Sequence, residues 1–193
     1  MKPSSIEAPD WSNIPAPADD GAARHLSGLK VPSVPLLATD GSSVDLSTLP
    51  GIVVVFAYPR TGRPGVENPE GWDQIPGARG CTPQSCAFRD LFGELKTLGV
   101  QRLFGLSTQS AEYQREAAER LHLPFPILSD EHFQFADALR LPMFETGGMK
   151  LLKRLTLVIS SGVIEHAFYP VFPPDRNAAD VAAWLATRRQ KPL

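Results

Sequence analysis

The sequence predicts an α/β sandwich, a mixed central β-sheet flanked by helices. Three observations predict it: a β-branched run that is apolar on both faces, helical periodicities alternating with short apolar runs after it, and two late apolar runs joined by a tight turn. At 193 residues the chain suits one domain with a sizeable core. Residues 29–193 are assigned to that domain. Residues 1–28 read as an irregular extension, because Pro3, Pro9, Pro15 and Pro17 interrupt it and no apolar period is sustained. Ile6, Trp11 and Ile14 are the side chains able to pin the extension to a surface.

The run Ile52-Val53-Val54-Val55-Phe56-Ala57-Tyr58 is a strand covered on both sides, expected at the centre of the sheet. Phe88, Leu91, Phe92, Leu95 and Leu98 then recur at helical spacing, and Thr82-Pro83 looks like an N-cap followed by a first-turn proline. Together they predict a helix over 83–98, closed by Gly99. Val100 to Leu106 is the next strand, and Ser110 to Leu121 the next helix, with Tyr113, Ala117 and Leu121 on one face. Phe125 to Leu128 is a short strand, and 133–139 a helical stretch. Leu152 to Ile159 and Val163 to Tyr169 flank Ser161-Gly162 and predict a β-hairpin. The last helix covers 177–189, with Val181, Trp184 and Leu185 inward and Arg188 and Arg189 near its negative C-terminal end.

Charge narrows the function. Nineteen basic against twenty-one acidic residues, net charge -2, give no broad positive field, so a nucleic-acid partner is not expected. The longest strongly apolar run is far shorter than the roughly 20 residues that span a bilayer, so no membrane role is expected. The first ten residues hold one cation and no apolar core, unlike a secretory signal, which makes a cytoplasmic location the expectation.

The chain has two cysteines, Cys81 and Cys86, in the segment Gly80-Cys81-Thr82-Pro83-Gln84-Ser85-Cys86-Ala87-Phe88-Arg89-Asp90. Cys81 falls just before the predicted helix, where unpaired N–H groups and the positive dipole end favour a thiolate nucleophile. Cys86, on the apolar side of the helix, reads as a protonated, partly buried thiol. Five residues along a helix rise about 7.5 Å and turn about 140°, leaving the Cα atoms roughly 8–9 Å apart. A disulfide tolerates about 7 Å, so a Cys81–Cys86 bond requires the first turn to unwind. As a structural staple, so short a loop would gain only about 2 kcal/mol before that unwinding is subtracted. A metal site lacks further ligands at zinc spacing, since His25, His122, His132 and His166 are scattered. Two inert core cysteines remain a bland alternative on chemistry alone.

This segment resembles the peroxiredoxins (AhpC/TSA), most closely the bacterioferritin comigratory protein or peroxiredoxin Q group, whose signature reads Gly-Cys-Thr-x-x-Ala-Cys-x-Phe-Arg-Asp. The similarity runs from about Val31 to Trp184, through Phe56-Ala57-Tyr58-Pro59, Gly105-Leu106-Ser107-Thr108, Leu128-Ser129-Asp130 and the late hairpin. The resemblance implies a thioredoxin-like fold and a thiol peroxidase acting on hydrogen peroxide and organic hydroperoxides, as a monomer or homodimer, with no cofactor. It implies that Cys81 is the peroxidatic cysteine, that Cys86 resolves its sulfenic acid into an intramolecular disulfide, and that thioredoxin or a similar dithiol reduces the pair. Arg154 matches the family arginine that stabilises the thiolate and orients the peroxide.

The family usually has Pro-x-x-x-Thr-x-x-Cys over the peroxidatic residue, whereas Pro59 and Cys81 stand 22 positions apart, an insertion of about 15 residues. Thr61 supplies the family hydroxyl if the chain loops out after it; Ala78, three before Cys81, cannot. The loop 62–79 is then either a lid that selects among peroxides or a decorated surface loop. A different class of function, a non-catalytic redox-sensing interaction protein using the same cysteine switch, is the alternative that the insertion motivates. A protein thiol–disulfide oxidoreductase fits less well, because such enzymes separate their cysteines by two residues and four intervene here.

Overall fold

The computed structural model describes residues 10–189, with the Arg189 side chain excepted, so Ile6 and the placement of Arg189 at the helix dipole lie outside the described residues. Strand β3 (Ile52–Ala57) is built from the β-branched run and is almost wholly buried. Its side chains alternate between two cores. Val53, Val55 and Ala57 face one, with Phe104, Leu157 and Phe135; Val54 and Phe56, followed by Tyr58, face the other, with Cys81, Phe88 and Val181. Both faces are therefore dry, as the apolar run requires.

The sheet has seven strands in the order β2-β1-β5-β4-β3-β8-β9: β1 (Pro35–Ala38), β2 (Ser43–Asp45), β3, β4 (Val100–Ser107), β5 (Ile127–Ser129), β8 (Leu155–Ser160) and β9 (Val163–Phe168). Strand β3 runs parallel to β4 and antiparallel to β8. It is interior but one place from the middle, which β4 occupies. The difference comes from the hairpin β1–β2, which sequence periodicity did not mark and which adds two strands on the far side of β5.

The helix predicted over 83–98 is two helices, α1 (Cys81–Asp90) and α2 (Phe92–Thr97), parted at Leu91, where ψ is 5°. The two pieces have different partners: α1 packs on the last helix and the turn before it, α2 on β4. Gly80, not Thr82, holds the N-cap position, with φ of 102°, and Cys81 is the first helical residue rather than the one before the start. Helix α3 (Ala111–Arg120) begins as expected, with Ser110 Oγ accepting from Tyr113 N at 3.2 Å. Helix α4 (Gln134–Leu139) follows β5.

The single strand predicted over 152–159 is divided. Residues Met143–Thr146 (β6) and Met149–Leu152 (β7) form a separate two-stranded sheet, and the chain re-enters the main sheet only at β8. Lys153 and Arg154 make the break, the Lys153 N–H bonding Pro142 O at 2.8 Å while the Arg154 side chain turns inward. Strands β8 and β9 then form the expected hairpin, and α5 (Asn177–Arg189) closes the fold. Residues 10–28 contain one short 3-10 turn, Trp11–Asn13, and place Ala23 and Leu26 in the first core. Trp11 pins this segment down: its Nε1 donates to Asp175 Oδ2 at 2.9 Å and its ring meets Phe172 edge-on.

Candidate active site

Three pieces of chain converge beyond the C-terminal end of β3. Tyr58 and Pro59 continue the strand, and Ser107 Oγ, from the end of β4, donates to Pro59 O at 3.2 Å. Leu155 pairs with Ala57 in the β3–β8 ladder, which sets Arg154 just beyond the end of β3. Gly80 turns the chain into α1 and presents Cys81 at its first position.

Cys81 is buried, and Arg154 Nη2 lies 3.2 Å from its Sγ. The same Nη2 faces the carbonyl oxygens of Gly77, Ala78 and Arg79 at 3.3, 3.2 and 3.0 Å. Arg154 Nη1 donates to Gln84 Oε1. Gln84 Nε2 in turn donates to Asn177 Oδ1 at 2.9 Å, and Thr156 Oγ1 donates to that oxygen at 2.6 Å. Arg154, Gln84, Asn177 and Thr156 are all buried, so the guanidinium is held by a network that starts on α1 and ends on α5 and β8.

A buried guanidinium is costly unless opposite charge or oriented dipoles compensate it. Among the described residues no carboxylate pairs with Arg154; carbonyl dipoles and the Cys81 sulfur surround it instead. The free N–H groups of the first turn of α1 add positive potential at the same place. Tyr58 is not a second acid here. Burial pushes its phenol well above the ordinary range, with charge at Cys81 adding to the shift and Arg154 opposing it, and its hydroxyl donates to Gln114 Oε1 at 2.7 Å.

Cys86 lies on the same uninterrupted helix, half-buried, and both thiols are free. Burial raises the Cys86 thiol above its ordinary value, which Arg89 partly offsets, so it is protonated at neutral pH. Because α1 is continuous between the two cysteines, their bonding requires its first turn to open.

A cavity of about 350 Å³ opens over Cys81. Thr61 lines it, but its hydroxyl donates to Gln109 Oε1 at 3.3 Å, and its backbone N–H and carbonyl are also taken by Gln109. Pro59 is not in the lining; its carbonyl accepts from Ser107 Oγ at 3.2 Å, away from the cavity lining. The loop 62–79 is more than surface decoration. Trp72 is buried with Ala78 and Leu151, and the three carbonyls on Arg154 are the last ones of this loop. Sequence reasoning missed Gln84 and Asn177. Gln84 carried a usable signal, since it stands three residues after Cys81 and so shares its side of a helix.

Residues 26–185 match the model of the redoxin family. The chain belongs to the redoxin family. Among related redoxins, the chloroplastic peroxiredoxin Q of Oryza sativa subsp. japonica is 31% identical over 79% of this chain, which spans 63% of that relative's length. The chloroplastic peroxiredoxin Q of Sedum lineare is also 31% identical, over 80% of this chain and 75% of its own. Among solved structures, the peroxidoxin BcpB of Mycobacterium tuberculosis superposes with a TM-score of 0.66 at 28% identity, covering 86% of this chain and 98% of that one. This redoxin thus has the thioredoxin-like fold of the peroxiredoxins.

Proposed function

We propose that this redoxin is a two-cysteine thiol peroxidase that reduces hydrogen peroxide and organic hydroperoxides. The observation that carries the reading is the 3.2 Å contact of the buried Arg154 guanidinium with Cys81 Sγ beneath an open cavity. The Cys81 thiolate attacks one peroxide oxygen, the O–O bond breaks, and the other oxygen leaves as water or an alcohol after taking a proton. Cys81 is left as a sulfenic acid. The Cys86 thiol then condenses with it, releasing water and forming a disulfide that thioredoxin or a similar dithiol reduces.

Ionisation alone is a small part of the rate. A free cysteine of pKa about 8.5 is roughly 3% ionised at pH 7, so full ionisation gains about thirtyfold at most. Further acceleration requires donors that hold the two oxygens in line with sulfur and stabilise charge on the leaving oxygen. Arg154 and the first-turn N–H groups of α1 are donors of that kind.

The test is steady-state consumption of hydrogen peroxide and an organic hydroperoxide coupled to thioredoxin and its reductase. Cys81→Ser is expected to lower turnover by at least about 10³-fold, to the uncatalysed background. After one equivalent of peroxide, mass spectrometry is expected to find an internal disulfide in the wild type and a sulfenic acid in Cys86→Ser. A sulfenic acid that persists in the wild type removes Cys86 from the mechanism.

One observation favours a second reading, a redox sensor that switches once and does not turn over. The Thr61 hydroxyl is engaged by Gln109 rather than directed to the sulfur. Oxidation that stops after a single stoichiometric event, with the dithiol present, would establish the sensor; sustained turnover excludes it.

A further inference from the structure

The cavity over Cys81 carries more positive charge than attack on a neutral peroxide calls for. Arg60, Arg63, Arg79 and Arg120 line it, and no Asp or Glu does. Arg79 is compensated by Asp73 at 3.4 Å and Arg120 by Glu116 at 2.6 Å. Arg60 and Arg63 are held by aromatic rings and neutral oxygens instead. The Arg60 guanidinium lies 5.8 Å from the Trp72 ring and reaches the Tyr113 hydroxyl at 3.5 Å. Arg63 sits 4.2 Å over the Tyr113 ring and reaches Tyr113 O at 3.5 Å. The Nε of each is buried without a partner.

Stacking of this kind fixes a guanidinium while leaving its charge uncompensated, so little rotamer entropy is left to lose when an anion arrives. The cavity, about 350 Å³, is far larger than hydrogen peroxide needs and falls in the range of small-molecule sites. Resting on the peroxidase reading, we infer that the cavity selects organic hydroperoxides that bear a carboxylate, the anionic group that oxidised carbon chains commonly carry. Arg60 and Arg63 hold the carboxylate while the hydroperoxide end meets Cys81. The thiolate takes one oxygen, the O–O bond breaks, and the protonated product leaves as the corresponding hydroxy acid, with Cys81 oxidised to the sulfenic acid.

The probes are cumene hydroperoxide carrying a para-carboxylate and the methyl ester of the same compound, which lacks the charge and adds one methyl group. At low salt the acid is expected to oxidise Cys81 at least about tenfold faster than the ester, through steering and charge-assisted hydrogen bonds. The ratio is expected to shrink between about 0.01 M and 1 M salt, as the screening length falls from about 30 to 3 Å. In the Arg60→Gln/Arg63→Gln double variant the acid and the ester are expected to react equally. Equal rates in the wild type, or a preference that survives the double substitution, overturns the inference. Calorimetry on Cys81→Ser with the alcohol products separates this from the peroxidase reading: the hydroxy acid is expected to bind and its ester not to. If hydrogen peroxide itself fails to oxidise Cys81, the peroxidase reading falls and the calorimetry decides the anion site alone.

Discussion

Replacing Arg154 by lysine is expected to lower the second-order rate of hydrogen peroxide reduction by about 10²–10³-fold, the cost of losing a preorganised donor at a centre of developing charge. The reason is geometric. One guanidinium spans Gln84 Oε1 with Nη1 while Nη2 meets the Cys81 sulfur and the carbonyls of Gly77, Ala78 and Arg79. A lysine ammonium is a point charge on a flexible stem and cannot hold both sides of that fork. It keeps the charge, so the comparison separates net charge from position. Arg154→Ala is expected to be worse in rate and to lower thermal stability as well, because Gln84 and the three carbonyls lose a buried partner. The measurement is the rate of Cys81 oxidation beside a thermal melt. Wild-type rates in a folded Arg154→Lys protein would leave Arg154 as a structural cation and shift the catalytic burden to the helix N-terminus.

That prediction rests on two residues named from the sequence, Cys81 by its local segment and Arg154 through the resemblance to the peroxiredoxins. Their meeting was not legible. It depends on Leu155 pairing with Ala57 and on the chain breaking at Lys153-Arg154, inside the stretch 152–159 that reads as one strand. The break at Leu91 was hidden for a related reason: Phe88, Leu91, Phe92 and Leu95 keep one helical period, while the partners of the two helices differ. The hairpin β1–β2 did carry a signal, Asp40-Gly41, which is a turn pair of the kind that closes hairpins, although only Pro35–Ala38 beside it is an apolar stretch. Thr61 shows the opposite case. Its place beside the cavity follows from the chain looping out after it, but the direction of its hydroxyl is set by Gln109, a residue 48 positions away that no local pattern ties to it.

Gly80→Ala is expected to be the most disruptive of the small substitutions around the site. Gly80 has a φ of 102°, a region that side chains with a Cβ avoid, and a Cβ there would stand 2.5 Å from Pro174 Cγ and 2.8 Å from Trp11 Cη2. Backbone strain and overpacking together should cost about 2–4 kcal/mol. For a domain of this size that is a fall in Tm of about 5–12 °C. The function should suffer beyond the stability, because the two obvious reliefs both move the site. Shifting Gly80 carries Cys81 away from Arg154, and shifting Pro174 carries Asn177, three residues on, away from Gln84. A displacement of about 1 Å at a reacting centre costs on the order of 10²-fold in rate, so oxidation of Cys81 should slow even well below the melting temperature. Gly93→Ala supplies the contrast. Gly93 lies in α2 with open space where its Cβ would go, and alanine there should be neutral or stabilising by up to about 1 kcal/mol. If Gly80→Ala instead melts and oxidises like the wild type, then the contact of Trp11 and Pro174 with the chain entering α1 does not hold Cys81 in place. The first turn of α1 would then have to be positioned by Gln84 and Arg154 alone.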